Sequence, residues 1–416
     1  MNVDERRPSV PTGTSTRGTT GRPIPLVVYI LAVGTFTMLT TEFIVAGILT
    51  QLAADLEASV SQAGLLITVF AAGMVIGAPL MALLTLRLPQ RLTLILALAV
   101  FAAGHVVVAL GTSLQLLLVA RFATALATGA FWAIAGVVAA KSAGPGMASR
   151  ALGIINAGGM LATVLGVPLG AFASQYFGWR GSFWGLAGLA VISAFLIARH
   201  VPGNLAPHSA VSIRKEISAL RSARLWLVLA ACATTTGGVL AAYSYISPLL
   251  IDGTGFSAPA IPLVLIGFGV GSLIGSLVGG RLGDAHPHLL TLIAPAASTV
   301  ILLAMCLLSG LQLPMIILIA LLGFFGLGAN PILASLAIAY GKNAPTLASS
   351  LTVAGFNAGT VVASWAGGKA LDSSLGSIGP VLLGASVAIL TLIPVIALSV
   401  ITKRGARQDL LPASSS

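Results

Sequence analysis

From residue 24 to residue 402 the chain is a succession of long apolar runs, each broken by a short cluster of Gly, Pro, Ser, Asn or charged residues. The breaks recur about every 31 residues, and a crossing needs roughly 20 apolar residues in a helix, so the pattern predicts twelve spans. Their expected limits are 24–50, 62–84, 92–111, 115–139, 149–174, 182–200, 225–250, 261–281, 288–309, 313–339, 346–370 and 378–402. A membrane barrel is excluded, because its strands are short and alternate strictly. The longest polar break, 201–224, lies at the midpoint, is basic and carries Pro202 and Pro207. It reads as a cytoplasmic linker between an amino-terminal six-helix half (24–200) and a carboxy-terminal one (225–402). Residues 1–23 lack the apolar core and cleavage site of a signal peptide and read as a disordered cytoplasmic tail. Residues 403–416 read as a second cytoplasmic tail.

The halves repeat one another. Phe70, Gly73, Ile76 and Gly77 of the second span recur as Phe268, Gly271, Ile274 and Gly275 of the eighth. Gly129-Ala130 of the fourth recurs as Gly328-Ala329 of the tenth, and Asn156-Ala157-Gly158 of the fifth as Asn357-Ala358-Gly359 of the eleventh. The nearly constant offset predicts an all-α membrane protein of two pseudo-symmetric halves with a cavity between them, as in many secondary transporters. In the fifth span Gly158, Ala162, Gly166 and Gly170 form a stripe that admits a neighbouring helix closely, and Pro168 within it predicts a kink. Gly355, Gly359, Ala363 and Gly367 form the matching stripe of the eleventh span.

Composition agrees and charge adds an orientation. Of 416 residues 57% are hydrophobic and 7% charged, too few charges to clothe a soluble surface. With the amino terminus inside, 18 basic residues fall on the cytoplasmic side and two, Arg180 and Lys369, outside. That is a positive-inside pattern with both termini cytoplasmic, and it accounts for the net charge of +11 without a nucleic-acid partner. Cys232 and Cys306 sit in apolar runs and form no disulfide framework or thiolate metal site.

Two charges stand inside spans. Glu42 lies about eight residues from the outer end of the first, and Arg121 about six from the outer end of the fourth, so both are expected roughly 9–12 Å below the outer boundary. A central charge costs roughly 2.5–3.5 kcal/mol and normally faces protein or water. Two readings stay open: a proton-binding carboxylate coupled to an arginine, or a static ion pair that fixes helix packing. Arg121 has no repeat mate, since Ala320 takes its place.

Arg121, Thr124, Thr128 and Trp132 share one face of the fourth helix, as do Cys232, Thr236, Tyr243 and Ser247 of the seventh. With Met38 and Thr41 of the first span they are candidates for lining a substrate cavity for amphipathic small molecules. Asn156, Asn330 and Asn357 are buried amides that either bond across helices or meet substrate. His105 either titrates or packs. His286 and His288 fall in a loop without further ligands, so no metal is expected, and no phosphate-binding Gly-x-x-x-x-Gly-Lys run argues for ATP. Nothing resembles an enzyme's nucleophile motif.

Several of these residues resemble the major facilitator superfamily, in its twelve-span drug:proton antiporter group and the arabinose-efflux-like and chloramphenicol-efflux-like branch. The carriers are Thr41-Glu42-Phe43 with Gly47, Gly77-Ala78-Pro79-Leu80, Arg121 with Gly129, Gly166-Val167-Pro168-Leu169-Gly170, and Gly178-Trp179-Arg180 with Phe183-Trp184. The resemblance implies an antiporter motif over 158–170 (Gly158, Gly166, Pro168, Gly170) and proton coupling through Arg121 and Glu42. The loop motif after the second span is degenerate: Arg87 and Arg91 remain but no aspartate does, whereas Arg281 and Asp284 preserve more of it in the second half. The expectation is a monomeric, proton-driven exporter of small amphipathic molecules in a bacterial inner membrane, working by alternating access with no cofactor beyond the proton-motive force. The alternative is a proton symporter that imports a sugar or nucleoside.

Overall fold

The computed structural model describes residues 23–84, 88–144, 147–203, 222–341 and 345–408, and among them there is no strand. The expected tails (1–23 and 403–416), the linker (201–224) and Arg87 fall wholly or largely outside the described residues, as does the side chain of Asp284. The first four helices are α1 (Leu26–Asp55), α2 (Val60–Leu84), α3 (Gln90–Leu110) and α4 (Leu114–Ala143). The next helical stretch, Ala148–His200, is 53 residues long. That is far longer than the roughly 20 residues of one crossing. It turns back at Gly178, whose φ of 68° lies in the left-handed region open to glycine. Ser182 Oγ donates to the Gly170 carbonyl at 2.7 Å, twelve positions back, a contact possible only if the chain reverses. The stretch is therefore two spans, α5 (148–177) and α6 (178–200), joined by one residue where a loop of several was expected. The others are α7 (223–253), α8 (Ile261–Ala285), α9 (Pro287–Leu307), α10 (Gln312–Tyr340), α11 (Pro345–Leu371) and α12, which begins near Gly379 and stays helical to Gln408, past the expected limit.

Small residues set the helix contacts, and both halves use the same register. Gly158 of α5 lies on the Ala32 backbone of α1, Gly166 on Thr40 and Gly170 on Ile44. In the second half Gly355 of α11 lies on Leu229 of α7, Gly359 on Ala233 and Gly367 on Ala241, with the same sequence separation in every pair. α2 and α4 meet through Gly73 against Phe122 and Gly77 against Leu126, and α8 and α10 through Gly271 against Ala320 and Gly275 against Phe324. In a bilayer the helices gain no hydrophobic energy by leaving lipid, so this close approach is a main source of cohesion. By the same register Glu42 of α1 corresponds to Tyr243 of α7.

The kink expected at Pro168 takes a particular form. Ala162–Gly166 is a π turn, in which the Val167 N–H bonds to the Ala162 carbonyl five residues back. The extra residue accommodates the missing N–H of Pro168 and leaves the Thr163 carbonyl against Gly269 of α8.

The halves are joined on the side away from the chain termini. Ser61 donates to Asp372 (2.6 Å), Thr68 and Ser364 share a bond (2.8 Å), Ser247 donates to the Ala46 carbonyl (2.7 Å) and Gln175 to the Ala258 carbonyl (3.3 Å). Nearest the middle of the layer, Thr163 of the π turn reaches Ser272 at 3.4 Å. Among the described residues, no other hydrogen bond is seen between the halves.

A Cβ at position 359 would meet the Ala233 backbone, whereas one at position 153 has no neighbour within 4 Å. Gly359→Ala is expected to lower stability by about 1–3 kcal/mol through overpacking. Gly153→Ala leaves stability unchanged or raises it by up to about 1 kcal/mol. Thermal denaturation of both variants in detergent checks the contrast.

Candidate functional site: a carboxylate pocket and a buried arginine

Glu42 lies near the middle of α1, because that helix runs five residues beyond its expected end. Its carboxylate borders a narrow pocket between the halves. From α1 and α2 the walls are Phe43, Ala46, Ile67, Phe70 and Ala71; from α7 and α11 they are Leu240, Tyr243, Ser244, Asn357 and Thr360. Tyr243 stacks on Phe268 at 4.2 Å and meets Phe43 edge-on at 6.2 Å, which makes one wall aromatic. Asn357 is buried; its Nδ2 donates to the Val353 carbonyl at 3.1 Å while its Oδ1 has no partner. The pocket thus presents aromatic faces and a small number of acceptors.

Arg121 is 1% exposed, in the interior of the first half. Its Nε donates to the Leu66 carbonyl (3.3 Å), and its Nη1 to both the carbonyl (3.0 Å) and the hydroxyl (2.8 Å) of Thr41. The Phe70 ring lies 4.2 Å from the guanidinium carbon. Nη2 is buried and unpartnered. Arg121 and Glu42 are close enough to interact electrostatically, but they form no ion pair. Among the described residues the only one is Arg180 with Asp55, at the far end of the first half, where Trp179 Nε1 also reaches Asp55 at 3.2 Å. The static ion pair left open by the sequence is absent from this state.

The remaining candidates divide. Tyr243 and Asn357 line the Glu42 pocket; the others do not. Thr124 is turned against Gly104 of α3 and bonds the Arg121 carbonyl at 2.9 Å, and Thr128 bonds the Thr124 carbonyl (2.9 Å) and faces Met38 Sδ at 3.4 Å. The helix face read as cavity lining is therefore packing between α4 and its neighbours, because α1 and α3 cover it. Met38 and Thr41 are buried in the same packing. Trp132 is half-buried with its ring tip at Gly159, Asn156 is exposed, and Asn330 sits at the break in α10 with Oδ1 unpartnered. Thr236 is buried with its hydroxyl unpartnered; Cys232 lies against Gly355 of α11, and Ser247 binds α1 instead of facing a cavity. Gly158, Gly166 and Gly170 face α1, and Pro168 follows the π turn that meets α8. Arg91 donates to the Ala198 carbonyl near the end of α6, and Arg281 is exposed.

His105 proves to be part of the site. It is 1% exposed and bridges Thr41 Oγ1 and the Phe101 carbonyl, each at 2.7 Å. The signal in the sequence was a histidine in the middle of an apolar span, which has to find partners when buried.

Two pseudo-symmetric six-helix halves around a central pocket define a secondary transporter rather than an enzyme. The comparisons with known proteins agree. Residues 31–268 match the Major Facilitator Superfamily, and the chain belongs to that family. It is 32% identical over 360 residues to a chloramphenicol resistance protein of Streptomyces lividans, covering 86% of this chain and 92% of that one. It is 30% identical over 354 residues to the putative transporter AraJ of Escherichia coli K12, covering 84% and 89%. Among solved structures it resembles a bacterial homologue of the human lysosomal transporter Spinster, in an inward-facing, unoccupied conformation. That likeness has a TM-score of 0.70 at 16% identity and covers 94% of this chain and all of the other.

Arg121→Lys keeps the charge but loses the fork that serves α1 and α2 together. It is expected to lose at least one charge-assisted bond, about 1.5–3 kcal/mol, read as a lowered denaturation temperature in detergent.

Proposed function

We propose that this chain is a proton-coupled exporter of small amphipathic molecules that works by alternating access. The observation that carries the reading is Glu42. Its carboxylate faces a pocket shared by both halves, with a guanidinium nearby that is held on backbone and hydroxyl oxygens and not paired to it. A carboxylate in such a place exchanges a proton at lower cost than one locked in an ion pair. Substrate enters from the cytoplasmic side, the halves rock, and a proton arriving at Glu42 from outside favours release. The chloramphenicol resistance relative supports the export direction, and the aromatic side chains of Phe43, Phe70 and Tyr243 in the pocket wall support amphipathic cargo. The basic loops support an inner-membrane chain with both termini cytoplasmic, so the state described here, joined on the far side, faces inward. One proton moved through 100 mV supplies about 2.3 kcal/mol, which sustains a useful gradient without a cofactor or a second subunit.

Everted vesicles carrying the wild type are expected to accumulate chloramphenicol or a lipophilic dye when a pH gradient is imposed, and Glu42→Gln vesicles are expected to lose that accumulation while the protein still folds. Retained pH-driven accumulation in Glu42→Gln overturns the role of Glu42. Accumulation of sugars or nucleosides by right-side-out vesicles instead identifies an importer.

A further inference from the structure

The buried threonines of α1 show what Thr41 does differently. Thr35 donates to the Leu31 carbonyl, Thr37 to Val33 and Thr40 to Phe36, each one turn back at 2.8–3.0 Å. Thr41 makes no such bond; its hydroxyl meets His105 Nε2 on α3. The donor assignments follow from chemistry. The Phe101 carbonyl only accepts, so His105 Nδ1 carries a proton. In the neutral ring Nε2 is then bare and accepts, and the Thr41 O–H donates to it. Thr41 Oγ1 is left with lone pairs, one of which receives Arg121 Nη1–H. The result is one polarised chain, from Arg121 through Thr41 to His105 to the backbone of α3.

We propose that His105 is a positioning residue for Arg121: by holding the Thr41 hydroxyl off its own helix, it tethers the guanidinium to α1 and keeps it from pairing with Glu42. This rests on the coupling role given to Glu42 and Arg121 above. Without the His105 acceptor, the Thr41 hydroxyl turns to the carbonyl one turn back, as its three neighbours do. Nη1 then keeps only the Thr41 carbonyl and Nε the Leu66 carbonyl, Nη2 is already free, and the less firmly held guanidinium tilts toward the nearest anion, Glu42. Among the described residues, the charges near His105 are those of Arg121 and, through it, Glu42. α4 contributes Arg121; α1 contributes Thr41, with Glu42 next to it opening to the pocket; α6 contributes the Phe183 ring at 5.7 Å. Phe101 of its own helix stacks on the imidazole at 4.0 Å, and Arg180 of α6 is engaged with Asp55 at the helix ends.

The test uses the full-length protein in proteoliposomes, with the pH dependence of dye exchange as readout. Thr41→Val keeps the shape of the residue, His105→Phe keeps a planar ring of slightly larger size, and each removes the link. Each is expected to move the pH of half-maximal exchange to the acid side by about 1 unit, the size of effect an arginine has on a carboxylate it newly approaches. The double variant is expected to shift no further than either single one, and Thr41→Ser to restore the wild-type midpoint. A purely structural role lowers the denaturation temperature and leaves the midpoint in place. Should His105→Phe fail to fold, Thr41→Val with its Thr41→Ser control decides the matter. Wild-type midpoints in folded variants, or shifts that add in the double variant, overturn the tether. Glu42→Gln separates the two readings: a pH dependence that survives in Glu42→Gln sinks the coupling role itself. A flat Glu42→Gln profile beside unshifted Thr41→Val and His105→Phe sinks only the tether.

Discussion

A guanidinium buried in an apolar bundle needs oxygen acceptors for its N–H groups, and the first half supplies them to two of its three nitrogens. Arg121 draws on α1 twice and on α2 once, and lies over Phe70. None of these partners carries a charge. Neutral acceptors satisfy a cation less completely than a carboxylate, and Nη2 remains without a partner. The arginine therefore stays available to an anion that comes within reach, while the bonds to α1 and α2 hold it in register.

The close approach of helices that allows this comes from glycine. Gly158, Gly166 and Gly170 seat α5 on α1, and Gly73 and Gly77 seat α2 on α4, so that α4 brings its arginine within bonding distance of two neighbouring backbones. The second half repeats the register with Gly355, Gly359 and Gly367 and with Gly271 and Gly275; by that register Ala320 answers Phe122, so the place of Arg121 falls to Ile319 and not to the Ala320 expected from the sequence. Duplication thus yields two similar scaffolds with different contents. At corresponding places one half brings Glu42 to the central pocket and the other Tyr243, an acid opposite an aromatic.

Where the halves touch among the described residues, they use hydroxyls, one amide, one carboxylate and backbone carbonyls, with no ion pair. Single neutral hydrogen bonds are worth about 0.5–1.5 kcal/mol each. An interface of that kind closes without being locked, which suits the proposed alternation between the halves. The π turn of α5 lies at this interface with its Thr163 carbonyl on Gly269, so the kinked segment sits where α5 meets α8.

Hydropathy period, turn residues and charge spacing are local properties, and they determined the span number, the repeat, and the identity of Glu42 and Arg121 as the charges that needed explaining. The span limits moved where helices outran the apolar layer, at Asp55 and Gln408, and where Gly178 replaced a loop by a single residue. Which way a helix face looks is not local. Thr124 and Thr128 share a face with Arg121, yet whether that face meets a cavity or a neighbour depends on where α1 and α3 lie. Only the tertiary structure decided that it is packed, that Arg121 and Glu42 form no ion pair, and that His105, sixty-four positions from Thr41, continues the chain of bonds that starts at Arg121. Those outcomes are set by distances between helices, which the pattern along any one helix does not encode.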